Sequence, residues 1–316
     1  MTTETGRGYH NTSSVYFFPN DTVEQDRLNA QSSAIKSMLE GRVTLAPLPP
    51  NPSRILDIGC GTGHATLDIA RQYPSAQVYG LDISPVPEKS VKEAPPNLHF
   101  LTGNILDVHP TAAASSTAHS GDEAPPSSDE LNTTLQPNTF THVFARLLVM
   151  GMNNWPGLIS RAYSLLAPGG YLELQELDIW FRDANGTHIE HEFEDFMGTA
   201  MRERGLDMRA GPNMAERMRA AGFVDVEVHR RRWVVKALPG EPVSEMTRYA
   251  SVAMPANIDE IARKLAKPQT DRWGKPEAVE QMKKTTHERV FSQPGAHCEY
   301  FVTIGRKPEA QREKSE

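Results

Sequence analysis

The sequence predicts a parallel, doubly wound α/β sheet, and three observations predict it. Strand-like and helix-like stretches alternate from the first third of the chain onward. At 54–70, "RILDIGCGTGHATLDIA", a β-branched run meets five residues holding three glycines and passes directly into a helical pattern. The long helical stretches that break the alternation come late, as insertions on that frame.

Taken in order, residues 1–14 are polar and read as a flexible N-terminus. Leu28, Ile35, Met38 and Leu39 predict an amphipathic helix ending near Gly41, stopped by "APLPPNP" (46–52). Ile55, Leu56 and Ile58 form the first strand, and Gly63 to Gln72 the helix after it. "AQVYGLDI" (76–83) is a second strand and "NLHFLTGNI" (97–105) a third; the prolines of "SPVPEKSVKEAPP" leave no room for a full helix between them. Residues 109–138 are Ser, Thr, Ala and Pro with hardly a large apolar side chain, and read as a disordered, dispensable insertion. "FTHVFARLLVM" (140–150) predicts a fourth strand running into a helix, "LISRAYSLLAPGG" a helix with a glycine stop, and "YLELQELD" (171–178) a fifth strand. Residues 188–221 read as helical, "GFVDVEVHRRRWVV" as a strand, 255–290 as helical again, and "HCEYFVTIGRKP" as the last strand. The domain reading is therefore one unit over 15–308, with helical covers at 180–222 and 243–292 and a polar tail at 309–316.

Composition removes several classes of function. With 316 residues and 38% hydrophobic content the chain can build one sizeable core. A net charge of −7 argues against a general grip on nucleic acid. Arg230-Arg231-Arg232 abuts a period-2 apolar pattern and reads as a solvated strand edge rather than a nuclear address. The N-terminus lacks an apolar signal core, and the longest apolar stretch, near 143–152, is too short for a bilayer and is interrupted by Arg146. Cys60 and Cys298 offer neither a disulfide framework nor metal-ligand spacing and read as free, buried thiols, so no metal is expected. The expectation is a soluble, cytoplasmic protein with no membrane partner; its oligomeric state is not legible.

Glycines opening a helix after a strand allow close backbone approach, and the helix start offers N–H groups to an anion. Dinucleotides and S-adenosylmethionine both use such a turn. The dinucleotide pattern needs its third glycine at position 64 or 66, where this chain has His64 and Thr66. The spacing here is Gly59-x-Gly61-x-Gly63 behind Asp57, and a carboxylate there repels a pyrophosphate but suits a ligand with an ammonium group. Asp82, about twenty residues on at the end of the second strand, is placed to accept from both ribose hydroxyls. Asn104 ends the third strand, where its amide can meet an adenine edge beside Ile105; a plain strand-to-loop asparagine reads equally well.

"RILDIGCGTG", "VYGLDIS" and "LLAPGGYLELQE" resemble successive motifs of class I S-adenosylmethionine-dependent methyltransferases. The closer resemblance is to the fungal branch holding the LaeA-type regulators of secondary metabolism and many biosynthetic-cluster methyltransferases. That branch opens on Y-x-x-P-N-D before a Glu-x-x-R-L helix, and this chain reads "YFFPNDTVEQDRLNAQ" (16–31). "APPNLHF", "NNWP" and the closing "EYFVTIGRKP" match further motifs, so the resemblance spans Tyr9 to Pro308 outside 109–138. It implies a Rossmann-like, seven-stranded, mostly parallel sheet with an antiparallel last strand. It also implies S-adenosylmethionine as cofactor, held at Asp57, the glycines, Asp82, Ile83, Asn104 and Ile105, with Tyr16 closing over it. The chain departs from the branch at Asn104, where an acid is usual, at His142, where "FD" is usual, and over 233–255.

The resemblance leaves the acceptor open: an N or O of a small specialised metabolite for an enzyme, protein partners for a regulator-like member acting in the nucleus, or a cyclization on the same fold. Methyl transfer chiefly needs alignment and exclusion of water, with a base only for a protonated nucleophile. Glu176, His188 and His191 are the candidates for that base, and Arg146 for pairing with a carboxylate of cofactor or substrate. Phe193, Phe196, Met197, Met201 and Met246 on the covers suit a hydrophobic acceptor, with one or two of them lining its pocket.

Overall fold

The computed structural model describes residues 2–4, 7–9, 15–16, 18–109, 128–265 and 273–310. In chain order the elements are β1 (Thr2–Glu4), β2 (Arg7–Tyr9), α1 (Thr22–Met38), β3 (Arg54–Ile58), α2 (His64–Gln72), β4 (Gln77–Asp82), α3 (Glu88–Lys92), β5 (Leu98–Thr102), α4 (Ser128–Thr134), β6 (Phe140–Arg146) and α5 (Trp155–Leu165). There follow β7 (Leu166–Arg182), α6 (Glu192–Glu203), α7 (Ala210–Ala220), β8 (Val224–Val234), α8 (Glu245–Leu265), α9 (Pro276–Thr286), a π turn at His287–Phe291 and β9 (His297–Arg306).

Seven strands form one sheet in the order β5-β4-β3-β6-β7-β9-β8. The first five of that order pair in parallel, and β9 runs antiparallel to both β7 and β8. This is the Rossmann-like sheet with its reversed last strand. Alternate residues of β3 feed opposite faces: Ile55 joins the apolar layer beneath α2, and Leu56 and Ile58 join the larger layer that continues to the helical covers. The chain reverses strand order on either side of β3, so the parallel strands end on a common crevice between β4 and β6.

Local chemistry fixes the ends. The Asp21 carboxylate caps α1 by accepting from Glu24 N at 3.0 Å, so the helix starts six residues before the predicted Leu28. Asn154 caps α5 through Gly157 N at 2.9 Å, with Pro156 in the first turn. On β7 the buried Glu173 carboxylate accepts from Thr44 Oγ1 and from the backbone N–H groups of Leu45 and Ala46, and Gln175 donates to Val43 O at 2.9 Å. Those bonds seat the segment before β3 on the sheet, as the proline-rich "APLPPNP" alone does not.

Several expectations are corrected. The N-terminus is not wholly loose: β1 and β2 pair as an antiparallel ribbon, and Arg7 bonds Asp21 and sits 3.6 Å from Glu260 on α8. Within 109–138, residues 110–127 lie outside the described residues, but 128–138 do not fit a solvated insertion. Leu131 and Leu135 of that stretch are 6% and 0% exposed in the main core, because two leucines four apart on a helical turn share one face. β6 ends in turns rather than a helix, and β7 runs on to Arg182, so 180–182 belong to the sheet and not to a helical cover. His188 and His191 precede α6 in extended backbone. Arg230 to Arg232 lie on β8, the outermost strand. Residues 311–316 of the tail lie outside the described residues.

Leu135 fills a closed site, so Leu135→Ala should destabilise the protein by about 2–5 kcal/mol. Urea unfolding measures it; an unchanged midpoint would return this stretch to the surface.

Candidate functional site

Gly59, Gly61 and Gly63 all have positive φ, +69°, +57° and +76°, a region that L side chains rarely adopt. Two of them also admit close neighbours. A Cβ on Gly59 would lie 2.3 Å from Leu148 Cδ2, and one on Gly63 2.7 Å from the Phe100 ring. Around Gly61 the nearest atom, of Leu28, is 3.9 Å away, so this glycine faces open space.

The turn spends its N–H groups within the protein. Gly59 N and Cys60 N donate to Leu81 O at 2.7 and 3.2 Å, Gly63 N to Cys60 O at 2.9 Å, and Gly61 N to Asp82 Oδ2 at 2.8 Å. A pyrophosphate seated on this turn would find those four donors occupied and two carboxylates beside them. At the turn itself these bonds and the two acids favour a cationic group; the N–H groups that open α2 at His64 are not among those spent.

The residues gather around a cavity of about 580 Å³ at the carboxyl ends of the parallel strands. Asp57, Gly59, Gly61, Asp82, Ile83, Asn104, Ile105, Arg146 and Tyr16 all line it; Gly63, expected with them, does not and backs onto Phe100. Asp57 is 2% exposed and accepts from Thr66 Oγ1 at 2.7 Å; burial raises its pKa to about 6, against the pull of that hydroxyl and of the Arg146 charge. Asp82 Oδ1 also accepts from Ser84 N at 3.0 Å. The Asn104 oxygen caps the short turn Ile105–Asp107 through Leu106 N at 3.1 Å. Arg146 donates to Ser32 Oγ at 2.8 Å, while its buried Nη1 has no hydrogen-bond partner among the described residues. Tyr16 rests against Gly151, and burial raises its phenol pKa. Cys60, expected to be buried, is half-exposed and lines the cavity; Cys298 is buried.

The two catalytic candidates part company. Glu176 does not line the cavity. Its carboxylate is fully buried and accepts from Leu148 N at 2.7 Å and Val149 N at 3.2 Å, which holds the turn after β6 in place. Because β7 runs on to Arg182, Glu176 lies within the strand, and with both oxygens accepting from backbone it acts as a structural clamp rather than a base. His191 does line the cavity. His142 sits against Ile55 and Tyr171 toward the far end of its strand, fully buried, with its pKa lowered by burial to about 3.

Beyond the glycine turn the lining becomes apolar: Phe181 from β7, Phe193 and Met197 from α6, Trp233 from β8, and Met254 and Ile258 from α8. Of the five cover residues proposed from sequence, Phe193 and Met197 line the cavity. Phe196, Met201 and Met246 are core residues outside it. Met208, Trp233, Met254 and Asn257 were missed, since no spacing ties them to the glycine turn. Among the described residues no His, Cys, Asp or Glu cluster could hold a metal.

Residues 30–228 match the methyltransferase domain family. The chain belongs to that family. Methyltransferase pytC of Aspergillus terreus is 30% identical over 244 residues, 74% of this chain and 65% of that protein. The chain thus matches just under two thirds of that relative's length. Secondary metabolism regulator LAE1 of Cochliobolus heterostrophus is 27% identical over 76% of this chain and 72% of its own. Among solved structures, a phosphoethanolamine N-methyltransferase 2 of Haemonchus contortus aligns at a TM-score of 0.48 and 18% identity, over 90% of this chain and 53% of that one. As a methyltransferase-domain chain its cofactor is S-adenosylmethionine. The residues present fit it: an open Gly61, acids at the ends of β3 and β4, and an Arg146 nitrogen in want of an acceptor.

Two outcomes test the site. Asp82→Ala should weaken S-adenosylmethionine binding about tenfold or more, the scale of a lost hydrogen bond to a charged group; unchanged affinity by calorimetry would remove Asp82 from the site. Burial raises the Glu176 pKa from 4.5 to about 8. The folded protein therefore holds that proton more tightly, and the resulting stability is full at low pH and lost as pH rises through about 8. Glu176→Gln should flatten that fall in denaturation curves taken across the range; an unaltered slope would assign the pH dependence elsewhere.

Proposed function

We propose that this chain methylates an N or O of a small, hydrophobic specialised metabolite, as a cytoplasmic enzyme. The observation that carries the reading is one cavity lined both by the polar residues of the glycine turn and by the apolar side chains Phe181, Phe193, Met197, Trp233 and Ile258. Small-ligand pockets have this composition, an apolar enclosure with few placed polar groups.

When bound, S-adenosylmethionine supplies a methyl carbon already activated by a sulfonium. Asp82 would hold its ribose, Asn104 and the Ile105 backbone its adenine, Asp57 and the turn its ammonium, and Arg146 its carboxylate. The protein's remaining tasks are to align an acceptor and keep water out. Tyr16, α1 and α8 supply walls for that purpose; the two helices pack together, and Arg27 of α1 donates to the Tyr249 hydroxyl of α8 at 2.8 Å.

The relative named as a regulator motivates a second reading, in which the chain acts through protein partners in the nucleus. Methyl transfer to a small molecule separates the two readings. Incubation with methyl-labelled S-adenosylmethionine and a small-molecule extract of the source cells should move label into the organic phase; label found on protein alone would sink the metabolite reading. Met197 and Met246 give a sharper test. Met197→Ala should change acceptor kcat/KM about tenfold at unchanged cofactor affinity, whereas Met246→Ala, a core truncation, should lose about 2–5 kcal/mol of stability. Parallel loss of cofactor and acceptor in Met197→Ala would place the acceptor elsewhere.

A further inference from the structure

Beside the apolar residues of the cavity lining stands a polar side chain that no protein contact satisfies. His191 lines the cavity at 8% exposure, and neither ring nitrogen has a hydrogen-bond partner among the described residues. Leaving such a group unmet is costly. Helix capping does not explain it. His191 occupies the N-cap of α6, where Ser, Asp or Asn would bond a helical N–H, and its side chain makes no such bond. Its ring lies near Phe181 and Phe193 instead, with centroids 5.5 and 6.4 Å away.

Two charged groups of the cavity lining, Glu194 and Arg27, are already engaged. Glu194 lies 2.8 Å from His188 Nε2, and Arg27 is held by Glu24 and by the Tyr249 hydroxyl. An ammonium or carboxylate acceptor would find its counter-charge spent. An uncharged hydroxyl needs no counter-charge; it can donate to an imidazole nitrogen of His191 once the buried ring turns that atom to the cavity, between aromatic neighbours that suit a flat ring.

Building on the methyl-transfer reading, we propose that His191 is a catalytic base and that the acceptor is the hydroxyl of an uncharged aromatic molecule, a phenol. As the phenol oxygen bonds to the methyl carbon, the carbon–sulfur bond breaks and its electron pair stays on sulfur. The hydroxyl, made strongly acidic by sharing its lone pair, gives its proton to an unprotonated nitrogen of His191. The imidazolium releases that proton to water after the ether product leaves. Burial, with His188 and Arg289 nearby, lowers the ring's pKa to about 4 and keeps it unprotonated at neutral pH. A weak base suffices here because the donor's acidity rises along the reaction.

The full chain loaded with S-adenosylhomocysteine is titrated with 1-naphthol, 1-naphthylamine and 1-naphthoate, and turnover is then followed with labelled S-adenosylmethionine. The variants are His191→Gln, which keeps an acceptor but no base, and His191→Phe, which keeps the volume among aromatic neighbours. Naphthol should bind at least tenfold more tightly than the other two and be methylated on oxygen. Both variants should keep S-adenosylhomocysteine affinity within about twofold and lose methylation by about a hundredfold, the lower end of general-base effects. His191→Gln should retain naphthol binding. Preference for the amine or the carboxylate, no binding of naphthol, or a variant working at the wild-type rate would overturn the proposal while leaving methyl transfer standing. Failure to bind S-adenosylhomocysteine would instead overturn the methyl-transfer reading, and this proposal with it.

Discussion

The structure depends on a backbone constraint: three left-handed residues within five positions, between the end of β3 and the start of α2. Only glycine adopts that sequence of turns without strain at each step. Its consequence is more than flexibility. The turn folds its own amides onto Leu81, Cys60 and Asp82, which closes it against the end of β4 and places the Asp82 carboxylate beside Gly61. The same turn leaves Gly61 facing the cavity, while Leu148 and Phe100 crowd its two companions. Position, charge and access at the cofactor end thus follow from one short piece of chain.

Buried acids on β7 extend that order across the sheet. Glu173 binds the segment that leads into β3, and Glu176 binds the turn that follows β6. The second clamp reaches the cofactor end directly, because the side chain of Leu148, whose N–H Glu176 accepts, occupies the space where Gly59 lacks a Cβ. A carboxylate buried without a cation is costly unless hydrogen bonds meet it. Here backbone donors meet the oxygens and fix the loops in place, but burial outweighs them and raises the pKa of both acids.

What the sequence showed and what it hid divide along physical lines. The strand, glycine turn and helix at 54–72 and the acids at the ends of β3 and β4 were legible, because local spacing encodes them. Glu176 misled because a strand-end carboxylate looks the same in sequence whether it faces ligand or backbone; only its donors distinguish the two. Leu131 and Leu135 were masked by Ser and Pro around them, although their spacing of four is a helical signal. The start of α1 was readable in Asp21-x-x-Glu24 and was passed over in favour of the apolar residues further on. The far wall of the cavity was not legible at all. Trp233 and Met254 come from elements remote in sequence, and tertiary packing alone brings them to His191 and Met197.

The central claim is that the glycine turn holds S-adenosylmethionine rather than a dinucleotide. Calorimetric titration of the wild-type protein with S-adenosylhomocysteine and, separately, with NADH tests it most directly. The account predicts saturable, one-to-one binding of S-adenosylhomocysteine and none of NADH, whose pyrophosphate would meet the carboxylates of Asp57 and Asp82 and glycine amides bonded within the protein. Tight NADH binding with no response to S-adenosylhomocysteine would contradict it.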